Sequence, residues 1–358
     1  MMDGRKKTFG YLGFVIVMAL VVFSIFYRLP YEVMKPGSAH NLDPVIDVEG
    51  EHEYKHGQFL FMTVRLVQPN IYQYALAKVL KYHELIPMDR LLQKGESQQE
   101  YETYQLHLMD TSQFAATYIA YKHAGKRPEI HHKGLIVIRV IDGMPAAKKL
   151  KPGDLIVAAE GKEIHTYKDL SSVMKGKTKG DKVSLTVKRN GNKKTLTVAI
   201  GKFPDRIINQ DPDGTKYGIG IMQVPNLELK VKPNIHFHTE NIGGPSGGLM
   251  FTLGIFNRLT EKNWTKGYKI AGTGTMNMKG EVGPIGGIKE KVVAADEQNV
   301  EIFFAPAKDN NYRNAAETAK DIGTDMKIVK VDTFEDALDY LKKLQPKAGS
   351  EQEKSKAS

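Results

Sequence analysis

Two short stretches carry the residue types that acyl-transfer chemistry needs. The first is Gly243-Gly244-Pro245-Ser246-Gly247-Gly248. Four glycines around one serine permit tight turns and close approach of a substrate backbone. The helix expected after it places Leu249, Leu253 and Phe256 at i, i+4 and i+7, so it docks on a core. Ser246 then stands at a helix amino terminus. Free backbone N–H groups and the positive helix end there suit the oxyanion of an acyl-transfer intermediate. The same position suits an N-cap, a common role for serine. A phosphate loop is a third reading, disfavoured because no G-x-x-x-x-G-K-[ST] pattern occurs in the chain.

The second stretch is Gly283-Pro284-Ile285-Gly286-Gly287-Ile288-Lys289-Glu290-Lys291-Val292-Val293-Ala294-Ala295. A serine hydroxyl needs a base, and a neutral lysine can serve. Neutrality requires the amine pKa to fall to roughly 7–8, through burial or a cationic neighbour. At about 100° per residue, Lys289 and Lys291 point to nearly opposite sides of a helix. Lys291 shares its side with Ile288, Ala294 and Ala295, an apolar lining that desolvates an amine. Lys289 shares its side with Val293 and Asp296 and reaches solvent. Lys291 is the better base, although a lysine in a first helical turn is ordinarily a surface residue.

The chain after residue 204 supplies the elements that position these groups. It reads as α/β: a strand at Ile235–Glu240, the serine helix to about Leu259, a strand near Tyr268–Thr273 and the lysine helix from Ile288. Strands at Glu301–Ala307 and Met326–Val331 enclose a helix, and Thr333–Leu344 is the last helix. Residues 345–358 read as a disordered tail.

Residues 133–200 have another texture: Gly134–Val140 is a β run, Leu150-Lys151-Pro152-Gly153-Asp154 a turn into a second strand, and Tyr167–Met174 a short helix. Two strands flank an Asn190-Gly191 hairpin turn. On Gly134-Leu135-Ile136-Val137, Met144-Pro145-Ala146-Ala147 and Leu150 to Ile156, this stretch resembles a PDZ domain of the bacterial protease-associated type. The resemblance implies a mainly β domain over 133–203. It also implies capture of an extended peptide as an added strand beside Leu135, Ile136 and Val137; service as a spacer or lid is the other reading.

Tyr11 to Tyr27 carries no charge and, at about 1.5 Å per residue, nearly crosses a bilayer core of about 30 Å. Arg5, Lys6 and Lys7 precede it and favour a cytoplasmic amino terminus (residues 1–10), with the rest of the chain outside. A cleaved signal peptide is the alternative, but bulky Phe26-Tyr27-Arg28 offers no small-x-small site. Residues 28–56 read as a stalk or loop, Gly57–Val67 as a buried strand and 70–125 as mostly helical. The Gly57–Val67 strand belongs either to this N-terminal region (28–132) or to an early piece of the later domain, which would make the PDZ-like stretch an insertion.

Composition bounds the chemistry. The 358 residues contain no cysteine, which excludes thiol catalysis, a disulfide framework and cysteine-based zinc sites. With 41% hydrophobic and 26% charged residues, the chain is a folded protein of two or three domains. The net charge of +10 suits an anionic surface, but no basic block with interleaved aromatics points to nucleic acid.

Taken together, GGPSGG, then Thr273-Gly274, then GPIGGIKEKVVAA resemble the proteolytic domain of Lon proteases, over about residues 235–345. The resemblance implies a Ser246–Lys291 dyad, supported by Thr273 as the threonine that orients the lysine and by Gly244, Pro245 and Gly247 around the nucleophile. His236 and His238 match the strand beside the family's active site, as substrate-positioning residues or as ordinary strand residues. No metal or cofactor is implied. The family often has Asp three residues before the serine, where this chain has Gly243, and ATP-dependent Lon proteases carry an ATPase module that these residues lack.

The whole arrangement resembles the membrane-anchored PDZ–Lon-like peptidases of Gram-positive bacteria, which process pheromones or clear small membrane-bound division inhibitors. The expectation is an ATP-independent, extracytoplasmic serine endopeptidase of peptides or small membrane-associated proteins, with a Lon-type α/β (α+β) domain over 204–345 and one transmembrane helix. Lon-type domains often form rings, so a homo-oligomer is implied as well. The rival expectations are a membrane-tethered PDZ scaffold with an inactive protease fold, and an intracellular regulatory peptidase.

Overall fold

The computed structural model describes residues 3–50, 54, 56–92, 96–208, 216–239 and 242–348. Its largest sheet explains how the serine and lysine stretches meet. Six strands lie in the order Lys327–Val331, Ile302–Pro306, Lys269–Gly272, Gln58–Val67, Tyr31–Asn41 and Glu84–Pro87. The first four are mutually parallel and the last two antiparallel to their neighbours.

Alternation along these strands feeds two cores. Phe59, Phe61, Ile270, Ile302 and Phe304 face one side, where they pack with Leu249, Phe251, Leu253 and Phe256 of helix Gly248–Leu259. Leu60, Met62, Ala271, Phe303 and Ala305 face the other, against Ile288, Val292 and Ala295 of helix Ile288–Asp296 and Ala315 of helix Asn311–Ile322. Successive residues of one strand therefore bury side chains in opposite layers, each worth roughly 1.5–3 kcal/mol for a large apolar group. The serine helix covers one face and the lysine helix the other.

The long helix Gln98–His123 lies over the serine helix through Ala115, Ala116, Ile119 and Ala120. Its start is a capping box: Ser97 accepts from the Glu100 N–H, and Glu100 Oε2 accepts from the Ser97 N–H. Glu100 Oε1 also accepts the Val140 N–H at 3.1 Å, which clasps the second domain to this helix.

That second domain has its own core, with Leu135, Val137, Ile156, Leu185, Val187 and Val198 fully buried. Its antiparallel sheet runs Ile221–Lys230, Glu129–Val140, Leu155–Ala159, Lys182–Arg189, Asn192–Ala199. The LKPGD turn is held by Asp154, 1% exposed, which takes two guanidinium hydrogen bonds from Arg189 and the Lys151 N–H.

Two boundaries differ from the sequence expectation. The 28–56 segment is not a stalk: Tyr31–Asn41 and Ile46–Val48 are strands, the first with a register shift between Pro36 and Ala39 that breaks its alternation. The sheet of the second domain takes its edge strand, Ile221–Lys230, from residues read as part of the later domain, so this sheet is inserted between the long helix and strand Ile235–Phe237. Among the described residues, no helix is long and apolar enough to cross a membrane. The first helix is Asp3–Phe26, but side chains are described only from Leu12, so the span expected from Tyr11 lies partly outside the described residues, as does the tail from residue 349.

Candidate active site

The two faces of the sheet are bridged at the carboxyl end of strand Lys269–Gly272. Thr273 follows that strand and is fully buried, its N–H bonded to Phe304 O at 3.1 Å. Crevices at the carboxyl ends of parallel strands are the usual binding place in α/β sheets. Ser246 arrives from one layer and Lys291 from the other. Lys291 Nζ lies 2.7 Å from Ser246 Oγ and 3.1 Å from Thr273 Oγ1. The Thr273 hydroxyl donates in turn to Ser246 O at 3.0 Å.

The lysine helix shows why its amine is dry. Gly287, at φ 69°, turns the chain into the helix while lying against Val64 and Met34, so a side chain there meets both strain and collision. Ile288, Lys291, Ala294 and Ala295 then share the buried side. Lys291 is 1% exposed, and burial lowers its pKa from the usual lysine range to about 7. Lys289 is exposed.

The nucleophile loop is fixed from the long helix. The Gly244 N–H donates to Gln105 O at 2.9 Å, and Ser112 Oγ donates to Pro245 O at 2.9 Å. Gly248 begins the serine helix, where Met276 and Ser112 approach too closely for any Cβ. Gly247 is its N-cap, with no side-chain cap, so Ser246 is not the capping residue. The Leu249 N–H goes to Gly274 O and the Gly274 N–H to Ser246 O, which pins the loop to the threonine turn.

A cleft of about 370 Å³ opens at this point, lined by His40, Phe61, Thr63, Leu66, Gln105 and Met109 together with Ser246, Gly247 and Lys291. His40 stacks on Phe61 at 5.0 Å, and burial lowers its pKa. Ser246, Lys291, Thr273, Gly244, Pro245 and Gly247 are thus brought together. His236 and His238 are not in this lining; both are exposed, and it is Phe237 between them that turns inward onto Phe251. Among the described residues, no group of three or more His, Cys, Asp or Glu is arranged to hold a metal ion.

The second domain requires a further correction. Leu135 and Val137 are fully buried, and strand Glu129–Val140 already has neighbours on both sides: Ile136 pairs with Val224 on one side and Leu155 on the other, and Leu135 and Val137 pair with Ile156 and Gln223. No strand can add beside them. One open edge is Ile221–Lys230, which faces helix Tyr167–Met174 across a groove of about 580 Å³ lined by Leu170, Met174, Ile219, Gly220 and Ile221. Tyr167 Oη spans the groove and donates to Gln223 O at 2.8 Å. Polarity alternates only over Asn226–Lys230 of this strand, and nothing local assigns it to a sheet begun about ninety residues earlier.

Two stretches of the chain match known protein families. Residues 123–200 match the PDZ domain model, and residues 226–343 match the Lon protease (S16) C-terminal proteolytic domain. The chain is similar to the Lon protease of Campylobacter jejuni, 32% identical over 120 residues, and to that of Mycoplasma pneumoniae, 39% identical over 114. These matches cover 32% and 31% of this chain but only 15% and 14% of those relatives. A solved PDZ domain of an SdrC-like protein from Listeria monocytogenes aligns with 27% of this chain and 93% of its own, at 24% identity and TM-score 0.23. The chain therefore carries a PDZ domain and a Lon-type proteolytic domain, the latter of the serine endopeptidase class. Residues 31–122, which supply three of the six large-sheet strands, part of the cleft and all but the last residue of the long helix, lie outside both matches.

Proposed function

We propose that the protein is a serine endopeptidase that works through a Ser246–Lys291 dyad. The contact that carries this reading is Lys291 Nζ to Ser246 Oγ, 2.7 Å, in a pocket that excludes water from the amine. A peptide carbonyl enters the cleft, and the neutral amine takes the Ser246 proton as Oγ bonds to the carbonyl carbon. The Ser246 and Gly247 amides, next to Oγ, hold the oxyanion. The resulting ammonium gives its proton to the leaving amine nitrogen as the C–N bond breaks. Lys291 next takes a proton from a water whose oxygen attacks the ester, and the collapse of that intermediate returns the proton to Ser246. Thr273 orients the amine throughout by its hydrogen bond at 3.1 Å.

The PDZ groove captures an extended segment of the substrate along Ile221–Lys230. The first helix anchors the chain in a membrane, with the catalytic part on the outer side. Leu12 to Phe26 is apolar around its whole circumference, and Phe14, Val17, Leu20 and Phe23 stand 57–64% exposed with no protein layer over them. Arg5, Lys6 and Lys7 before it favour that orientation.

The test compares cleavage of a quenched peptide library by wild type, Ser246→Ala, Lys291→Ala and Lys289→Ala. The first two lose at least about 10⁴-fold in kcat, whereas Lys289→Ala keeps the wild-type rate. Full activity of Lys291→Ala overturns the dyad. Failure of a folded sample to react with a serine-directed probe leaves the scaffold reading in its place.

A further inference from the structure

The apolar surface of the protein does not stop at the end of the first helix. Asn70 Nδ2 donates to Ile25 O at 3.1 Å, the Ser24 and Tyr72 hydroxyls lie 2.9 Å apart, and the Leu29 N–H donates to Pro69 O at 2.9 Å. Segment 68–72 is thereby stitched to the last turn of that helix. The short helix Ile71–Ala77 follows, and it touches the protein body mainly through Tyr74 and buried Ala77. Its other side presents Tyr72 and Leu76, and the turn that follows adds Val79 and Leu80, exposed by 53%, 56%, 84% and 41% in that order.

This stripe has a distinctive rim. Tyr31 and Tyr74 pair at 5.0 Å, Lys78 lies 4.7 Å over the Tyr74 ring, and Tyr27 stacks on Phe23 at 5.2 Å. Arg28 completes it, reaching Gln73 Oε1 at 3.1 Å. Tyrosines with an apolar body and a polar tip, mixed with Lys and Arg, are what the headgroup zone of a bilayer selects. An apolar patch of this kind requires cover, and among the described residues it is stitched to the end of the apolar first helix.

We propose that helix Ile71–Ala77 and the turn through Leu80 lie on the outer leaflet as an interfacial element, with Tyr72, Leu76, Val79 and Leu80 below the headgroups and Lys78 and Arg28 among the lipid phosphates. This rests on the reading of the first helix as a membrane anchor. Strand Gln58–Val67 leads from this contact to the cleft, since Val64 and Leu66 line the site of Ser246 a few residues before Pro69. At about 3.3 Å per residue, Leu66 and Val64 lie roughly 10–20 Å along the chain from Pro69. The substrates it fits are chains cut where they emerge from a membrane surface.

The absence of cysteine makes the test clean. The full chain in phosphatidylcholine–phosphatidylglycerol vesicles carries a nitroxide at Val79→Cys, Val17→Cys or Lys193→Cys, and collision with oxygen is compared with collision with an aqueous nickel chelate. Val79 is expected between lipid-embedded Val17 and water-exposed Lys193, at headgroup depth. If Val17 reads lipid while Val79 matches Lys193, the docking is overturned and the anchor stands. If Val17 reads water, the anchor itself fails and the docking with it. Protection of Val79 that depends on the protein-to-lipid ratio places a second copy on the stripe and also overturns the proposal. In cleavage, the Leu76→Asp, Val79→Asp, Leu80→Asp triple variant lowers the ratio of bilayer-tethered to soluble peptide turnover at least about fivefold; an unchanged ratio overturns it.

Discussion

Lys291 is useful only while it is uncharged, and the fold enforces this by burial. No acidic partner is needed: desolvation alone lowers the amine pKa to about 7, and the Ser246 and Thr273 hydroxyls satisfy it as a neutral group. The sign of the pH dependence follows. The base form prevails above about pH 7, so kcat/KM for a short peptide is expected to rise through an apparent pKa near 7 and then level off. The same shift acts on stability. Between about 7 and the usual lysine range the unfolded chain binds a proton that the folded chain does not, so stability also rises with pH across that window. A rate profile flat from pH 5 to 9 contradicts the assignment. At this scale the sequence was informative where periodicity applies: helical spacing alone separates buried Lys291 from exposed Lys289. It was silent on Ser112 and Gln105, polar residues in a helix whose burial depends on a loop more than a hundred residues away.

Among the elements, the long helix Gln98–His123 does the most to hold the nucleophile loop. Ser112, 2% exposed, reaches Pro245 O, and the main chain at Gln105 receives the Gly244 N–H. Ser112→Ala removes one loop tether without emptying a large volume. Its expected effect is a loss of about 10-fold in kcat, since a small displacement of a catalytic atom is costly, with a stability loss of only about 1 kcal/mol. Steady-state kinetics beside thermal unfolding checks this; a kcat within twofold of wild type shows that the loop holds its own shape. The helices and parallel strands around the site were legible because their apolar spacing is regular over whole turns. Strand Tyr31–Asn41 was not, because the shift at Pro36 and the half-buried run after it hide the period-two pattern. His236 and His238 mark the opposite failure. The strand was legible, but which of its faces turns inward is decided by Phe237 and its packing on Phe251.

At the scale of the molecule, a PDZ sheet is set inside a proteolytic domain, clasped by Glu100 and completed by a strand that returns from beyond its own hairpin. Sequence reading recovered both domains but left strand Ile221–Lys230 out of the PDZ sheet, because the order of strands in a sheet is a long-range property that no local window carries. The groove beside Ile221–Lys230 makes a prediction of its own. Ser171→Glu, on the exposed wall of the groove, is expected to raise KM for a protein substrate at least about fivefold through an uncompensated charge beside apolar contacts. The kcat on a short peptide should not change. Equal KM values for wild type and variant on the protein substrate would show that capture happens elsewhere. The insertion has one more consequence. Both ends of the PDZ module are sewn into its host, so a nick in either connection leaves groove and blade on one leash. Shedding the captor from the cutter would take two separate breaks.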